Sequence, residues 1–122
     1  MHSIPISRSP RILICRLSAI GDCVLTLPVA VALRKYYPHA WITWVTQSPA
    51  ASLLCPHESI DEVITVPRGW VKSPRAIWNL RKQLRPLKFD WALDPQSLTK
   101  SALAAWISGA PQRIGFAPPQ GR

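Results

Sequence analysis

At 122 residues the chain has room for one domain with a real core, and its apolar runs fall well short of the roughly 20 residues that a membrane span requires. Hydrophobic residues make up 48%, and 15 Lys and Arg against 6 Asp and Glu leave a formal charge of +9, which describes a soluble globular chain that wants an anionic partner. Cys15, Cys23 and Cys55 show no CxxC spacing and read as reduced, buried small hydrophobes, while His2, His39 and His57 fall in separate segments, so no metal site is expected.

Residues 1–10 (MHSIPISRSP) carry two prolines and no continuous apolar core. They read as a disordered leader and not as a secretion signal, which keeps the chain in the cytosol. Residues 12–15 (ILIC) are apolar and mostly branched, as expected of a strand buried on both faces of a parallel sheet. Residues 17–21 then form a turn, and Asp22 opens an amphipathic helix. Over 24–37, Leu25, Val29, Leu33 and Tyr36 fall near helical spacing, and Arg34 and Lys35 make a basic last turn before Pro38. Pro28 either kinks this helix or belongs to the first turn of a long part starting near Thr26, which would be its N-cap.

A second strand is expected at 41–45 and a short helix at 49–55. A third strand at 63–66 leads to a basic amphipathic helix over 74–84, with Ile77, Trp78, Leu80 and Leu84 as its apolar positions. A fourth strand at 91–93 precedes an alanine-rich helix over 99–107 closed by Gly109, and a weaker fifth strand lies at 113–116. Strands alternating with helices imply an α/β fold: a Rossmann-like three-layer domain with a mainly parallel sheet and right-handed crossovers over residues 11–116. Residues 117–122 (APPQGR) read as the start of a linker.

In such a sheet ligands bind beyond the carboxyl ends of the strands. Two polar stretches fall there, RLSAIGD at 16–22 and DPQSLTKS at 94–101. Gly21 lets backbone approach a ligand closely, and the helix start after it favours negative charge. The turn lacks both GxGxxG and the GKS/T ending of a phosphate loop. Asp22 admits two readings. Aspartate is a favoured helix N-cap worth about 1 kcal/mol, and a carboxylate open to a cleft is also a general base, worth roughly 10² to 10⁴ in rate. Asp94 reads as an Asx turn or cap ahead of Pro95, or as part of a site; Lys100 reads as a solvated helix residue or a ligand contact. Between 66 and 89 stand Arg68, Lys72, Arg75, Arg81, Lys82, Arg85 and Lys88 without one acidic residue. That cluster is either a solvated helix face or a surface for nucleic acid, anionic lipid or a phosphorylated sugar.

Taken together, ILICRLSAIGD at 12–22, the LTLPVAVALRKYYP run after it, DPQSLTKSALAAW at 94–106 and GAPQRIGF at 109–116 resemble the amino-terminal half of the lipopolysaccharide heptosyltransferase family. The resemblance covers about residues 11 to 116. It implies a two-domain glycosyltransferase of the B type from bacteria, transferring heptose from ADP-heptose to the inner core of lipopolysaccharide by metal-independent inversion, with no cofactor. It implies that Asp22, the aspartate of the S-x-x-G-D turn running from Ser18 through Gly21, is the catalytic base. It further implies that Arg16, Arg68 and Lys72 meet anionic groups of a lipid-linked acidic sugar acceptor, with Gln96 and Lys100 lining the same cleft. The donor-binding carboxyl-terminal half would lie beyond Arg122, so the 122 residues alone are expected to be inactive.

Trp70 and Trp78, beside the basic run, would suit peripheral docking at the anionic inner face of the inner membrane. The rival reading is a non-catalytic basic Rossmann-like module binding anionic lipid or nucleic acid. No recognition motif and no regular interleaving of basic and aromatic residues supports nucleic acid as the partner.

Overall fold

The computed structural model describes residues 10–17, 20–47, 58–94 and 99–115; for residues 20–25 and 99 the backbone alone is considered. The expected leader, the helix at 49–55 and the linker at 117–122 fall outside the described residues or, in the leader's case, leave only Pro10 within them. Five strands appear in chain order: β1 (Arg11–Cys15), β2 (Trp41–Gln47), β3 (Glu62–Val66), β4 (Trp91–Asp94) and β5 (Gln112–Gly115). The helices are α1 (Ile20–Tyr36) between β1 and β2, α2 (Pro74–Leu84) between β3 and β4, and α3 (Thr99–Ile107) between β4 and β5.

All four strand pairings are parallel, in the order β3-β2-β1-β4-β5. The chain first steps outward on one side of β1, then crosses to β4 on the other. Beyond the carboxyl ends of β1 and β4 the connections therefore diverge, which is where an open α/β sheet forms its crevice. Alternation along β1 divides the core. Ile12 and Ile14 join Ile42, Trp44 and Leu93 under α1, packed by Leu27, Val29, Leu33 and Tyr37. Leu13 and Cys15 join Val45 and Ala92 on the other face, against Leu80 and Leu84 of α2 and Ala104, Ala105 and Ile107 of α3.

Among the described residues the two layers do not cover the sheet equally. On the α1 side, beyond that helix, Trp91, Leu93, Gln112 and Ile114 line an apolar groove of about 530 Å³ with Val29, Leu33, Tyr36 and Tyr37.

Helix α1 starts earlier than expected. Asp22 is its third residue and not its cap, and the helix runs continuously through a solvent-facing Pro28, so it does not start near Thr26. The ring points outward, and the missing N–H removes one rung of the helix ladder. At the other end Arg34 does more than face the dipole. Its guanidinium donates to the carbonyls of Pro38 and Ala40 and pairs with Asp61, which also accepts from the Ile42 N–H at 2.7 Å.

The expected bounds of α2 and α3 match the structure, while the turn that leads into α2 is an addition to what the sequence signals. Gly69, with φ of 78°, enters a 3-10 turn at Trp70–Lys72. Ser73 then caps α2, its hydroxyl oxygen accepting from the Ala76 N–H at 3.2 Å, and Pro74 fills the first helical position.

Candidate functional site

The crevice is built from the segments that leave the strand ends. After β1 the chain is held across the sheet toward β2: the Arg16 carbonyl accepts from Trp44 Nε1 at 3.1 Å. The Leu17 carbonyl accepts from the Gln47 N–H at 2.9 Å and from Thr46 Oγ1 at 3.2 Å. Arg16 is half-buried there. Gly21 and Asp22 come next as the second and third residues of α1, at the end of that helix next to the switch point.

Lys100 occupies the corresponding place on the other side, second in α3 and exposed. Arg68 and Lys72 are exposed in the turns that leave β3. Thus Arg16, Gly21, Asp22, Arg68, Lys72 and Lys100 all lie in segments that leave the carboxyl edge of the sheet. Ser18 and Gln96 lie outside the described residues.

Trp70 sits between Arg68 and Lys72 but is not a surface residue: it is 0% exposed and packs with Leu13, Leu17 and Val66. This overturns its expected part in membrane docking. The left-handed turn at Gly69 folds the indole inward while leaving the flanking cations in solvent.

Two features are legible only in three dimensions. Asp94, at the end of β4, is 7% exposed. With Ala102, Ala105, Arg113, Ile114 and Gly115 it lines a cavity of about 180 Å³ at the carboxyl ends of β4 and β5. Parallel pairing sets Asp94 opposite Gly115, which brings Arg113, missed from the sequence, to the same cavity. Beside it, burial and then the negative charge of Asp94 push the Cys15 thiol far above its ordinary value, so this free cysteine stays protonated and unreactive. Among the described residues no group of three His, Cys, Asp or Glu is placed to hold a metal ion, and no helix is long and apolar enough to cross a membrane.

No protein-family model matches the chain. Individual proteins do. It is 29% identical over 109 residues to the lipopolysaccharide core heptosyltransferase OpsX of Haemophilus influenzae, covering 89% of this chain and 30% of that one. Among solved structures it superimposes on the glycosyl transferase family 9 protein from Veillonella parvula with a TM-score of 0.79 at 26% identity, covering 88% of this chain and 32% of the other. The E. coli heptosyltransferase WaaC with ADP gives 0.72 at 28% identity, over 87% of this chain and 35% of that one. The curated homologues of this chain are lipopolysaccharide heptosyltransferases. The chain spans about 30% of the length of these heptosyltransferases, and the five-stranded parallel fold matches the heptosyltransferase structures.

Proposed function

We propose that this chain is the acceptor-binding, amino-terminal half of a B-type heptosyltransferase that moves heptose from ADP-heptose to the inner core of lipopolysaccharide. The observation that carries this reading is the convergence at one edge of the sheet: Gly21 and Asp22 stand in the first turn of α1 at the switch point, and Arg16, Arg68, Lys72 and Lys100 lie in segments that leave the same edge. Homology to heptosyltransferases supports a heptosyltransferase role.

In this reading Asp22 takes the proton from an acceptor hydroxyl. The freed oxygen attacks the anomeric carbon of the donor sugar, the bond from that carbon to the diphosphate oxygen breaks, and ADP leaves with the electron pair. Attack opposite the leaving group inverts the centre. One carboxylate suffices because the diphosphate leaves without the acid that a glycosidase must supply. No metal or other cofactor takes part. Ser18 and Gly21 shape the turn against the acceptor, Gln96 and Lys100 line the facing wall, and Arg16, Arg68 and Lys72 meet the acceptor's carboxylates and phosphates.

Residues 11–116 form the acceptor domain and 117–122 begin the link to a donor-binding domain. The enzyme works in the cytoplasm, at the inner face of the inner membrane, and nucleic acid is not its partner.

The test is binding of a lipid A acceptor bearing acidic sugars to the chain, with ADP-heptose titrated in parallel. Arg68→Ala/Lys72→Ala is expected to weaken acceptor binding by about tenfold or more, as lost charge-assisted contacts do. Asp22→Asn leaves binding within about twofold, because it keeps shape and removes only the base. Tight ADP-heptose binding without acceptor binding would assign this domain to the wrong substrate.

A further inference from the structure

Helix α2 is divided lengthwise. Leu80 and Leu84 are buried and Ile77 half-buried toward the sheet, whereas Arg75, Trp78 and Lys82, spaced by three and four residues, share one stripe on the opposite, solvent side. Trp78 is 54% exposed, with the Arg81 guanidinium 5.4 Å from its ring centroid. The neighbouring α3 buries Ser101, Ala104 and Ala105 and turns out Trp106, 60% exposed. Arg85 Nε donates to the Ile107 carbonyl at 2.7 Å, which ties the end of α3 to the residue that closes α2. One outer layer therefore carries two largely exposed indoles and a row of cations, and residues 67–88 include no carboxylate.

An indole left half in water beside cations suits a boundary where an apolar ring and a polar edge find different surroundings at once. An anionic bilayer surface supplies both: headgroup phosphates for the cations and the acyl boundary for the rings. Base stacking suits this layer less, because the Arg81 guanidinium already lies over the Trp78 ring that a base would need.

We propose that the outer face of α2 and α3 docks on an anionic bilayer, with Trp78 and Trp106 seated at headgroup level and Arg75 and Lys82 against lipid phosphates. This deepens the membrane-side part of the function proposed above. It uses none of the residues placed at the acceptor, so vesicle binding and acceptor binding can each fail alone.

The experiment is cosedimentation of the 122-residue chain with sucrose-loaded vesicles of phosphatidylcholine and phosphatidylglycerol (3:1), against phosphatidylcholine alone. The expected result is binding to the anionic vesicles only. Arg75→Glu/Lys82→Glu and Trp78→Ala/Trp106→Ala should each weaken it by about tenfold or more. Lys35→Glu, a charge reversal on α1 across the sheet, should change it by less than about twofold if placement and not net charge decides. Brominated lipid gives a readout without any substitution: it should quench part of the wild-type indole fluorescence. Absence of binding, equal weakening by Lys35→Glu, unchanged binding by the double tryptophan variant, or no quenching overturns the proposal.

Discussion

Trp44 and Trp70 are both 0% exposed, yet their indole nitrogens meet different fates. Trp44 Nε1 donates to the Arg16 carbonyl, whereas Trp70 Nε1 is buried with no hydrogen-bond partner among the described residues. Removing a paired buried donor also orphans its acceptor; removing an unpaired one deletes a group whose desolvation was never compensated. Trp44→Phe should therefore destabilise the chain more than Trp70→Phe, by about 1 kcal/mol or more in urea denaturation. Equal costs would mean that lost ring volume alone governs both sites. Trp44→Phe should also loosen the Arg16 turn and weaken acceptor binding, which Trp70→Phe leaves in place. Neither distinction is legible from the sequence. Trp70 and Trp78 stand in the same basic stretch with similar neighbours, and only the left-handed turn at Gly69 and the packing of Leu13, Leu17 and Val66 decide which indole goes inside.

At the level of elements, reading the sequence succeeds where a local rule and the global fold agree. The strands under both helix layers show as short branched runs, because they are buried on both faces, and α2 and α3 begin and end where capping and periodicity say. It fails at the start of α1, where Asp22 looks like a cap and Thr26 like the start of the long part, but the helix begins at Ile20 and carries Pro28 with its ring outward. The cavity between Asp94 and Arg113 is out of reach as well, since it exists only through the parallel register of β4 with β5. The closing of α3 shows a further contact that periodicity does not carry. Gly109 reads as a helix stop, and it has φ of 76°; in addition, a Cβ there would meet Arg85 Cδ and Nε at 2.9 Å. Gly109→Ala must strain the backbone and push the guanidinium off the Ile107 carbonyl, costing about 1–3 kcal/mol. Gly69→Ala, with φ of 78° and open space around its Cβ, meets the backbone strain alone and should cost less. A thermodynamic cycle with Arg85→Ala isolates the clash. Gly109→Ala should cost less in the Arg85→Ala background, and strict additivity would remove the arginine from the explanation.

For the whole molecule the unequal covering of the sheet sets where stability is concentrated. Leu13 is 0% exposed and lies between the sheet and the full α2/α3 layer, so its contacts surround it. Leu93 is 7% exposed and lines the apolar groove beyond α1, so one side of it already faces open space. The cost of truncating a core side chain grows with the cavity left behind and with the number of packed neighbours abandoned. Leu13→Ala should accordingly cost about 3–5 kcal/mol, and Leu93→Ala about 2 kcal/mol or less, since little new void forms beside an existing one. The two faces share every strand, so neither helix layer keeps its platform once the sheet opens. Both variants should shift a single transition, seen alike by far-ultraviolet circular dichroism and by tryptophan fluorescence during urea denaturation. Separate transitions for the two probes would mean that the α1 side melts before the α2/α3 side, and that the crevice at the switch point loses the first turn of α1 while the basic helix still stands.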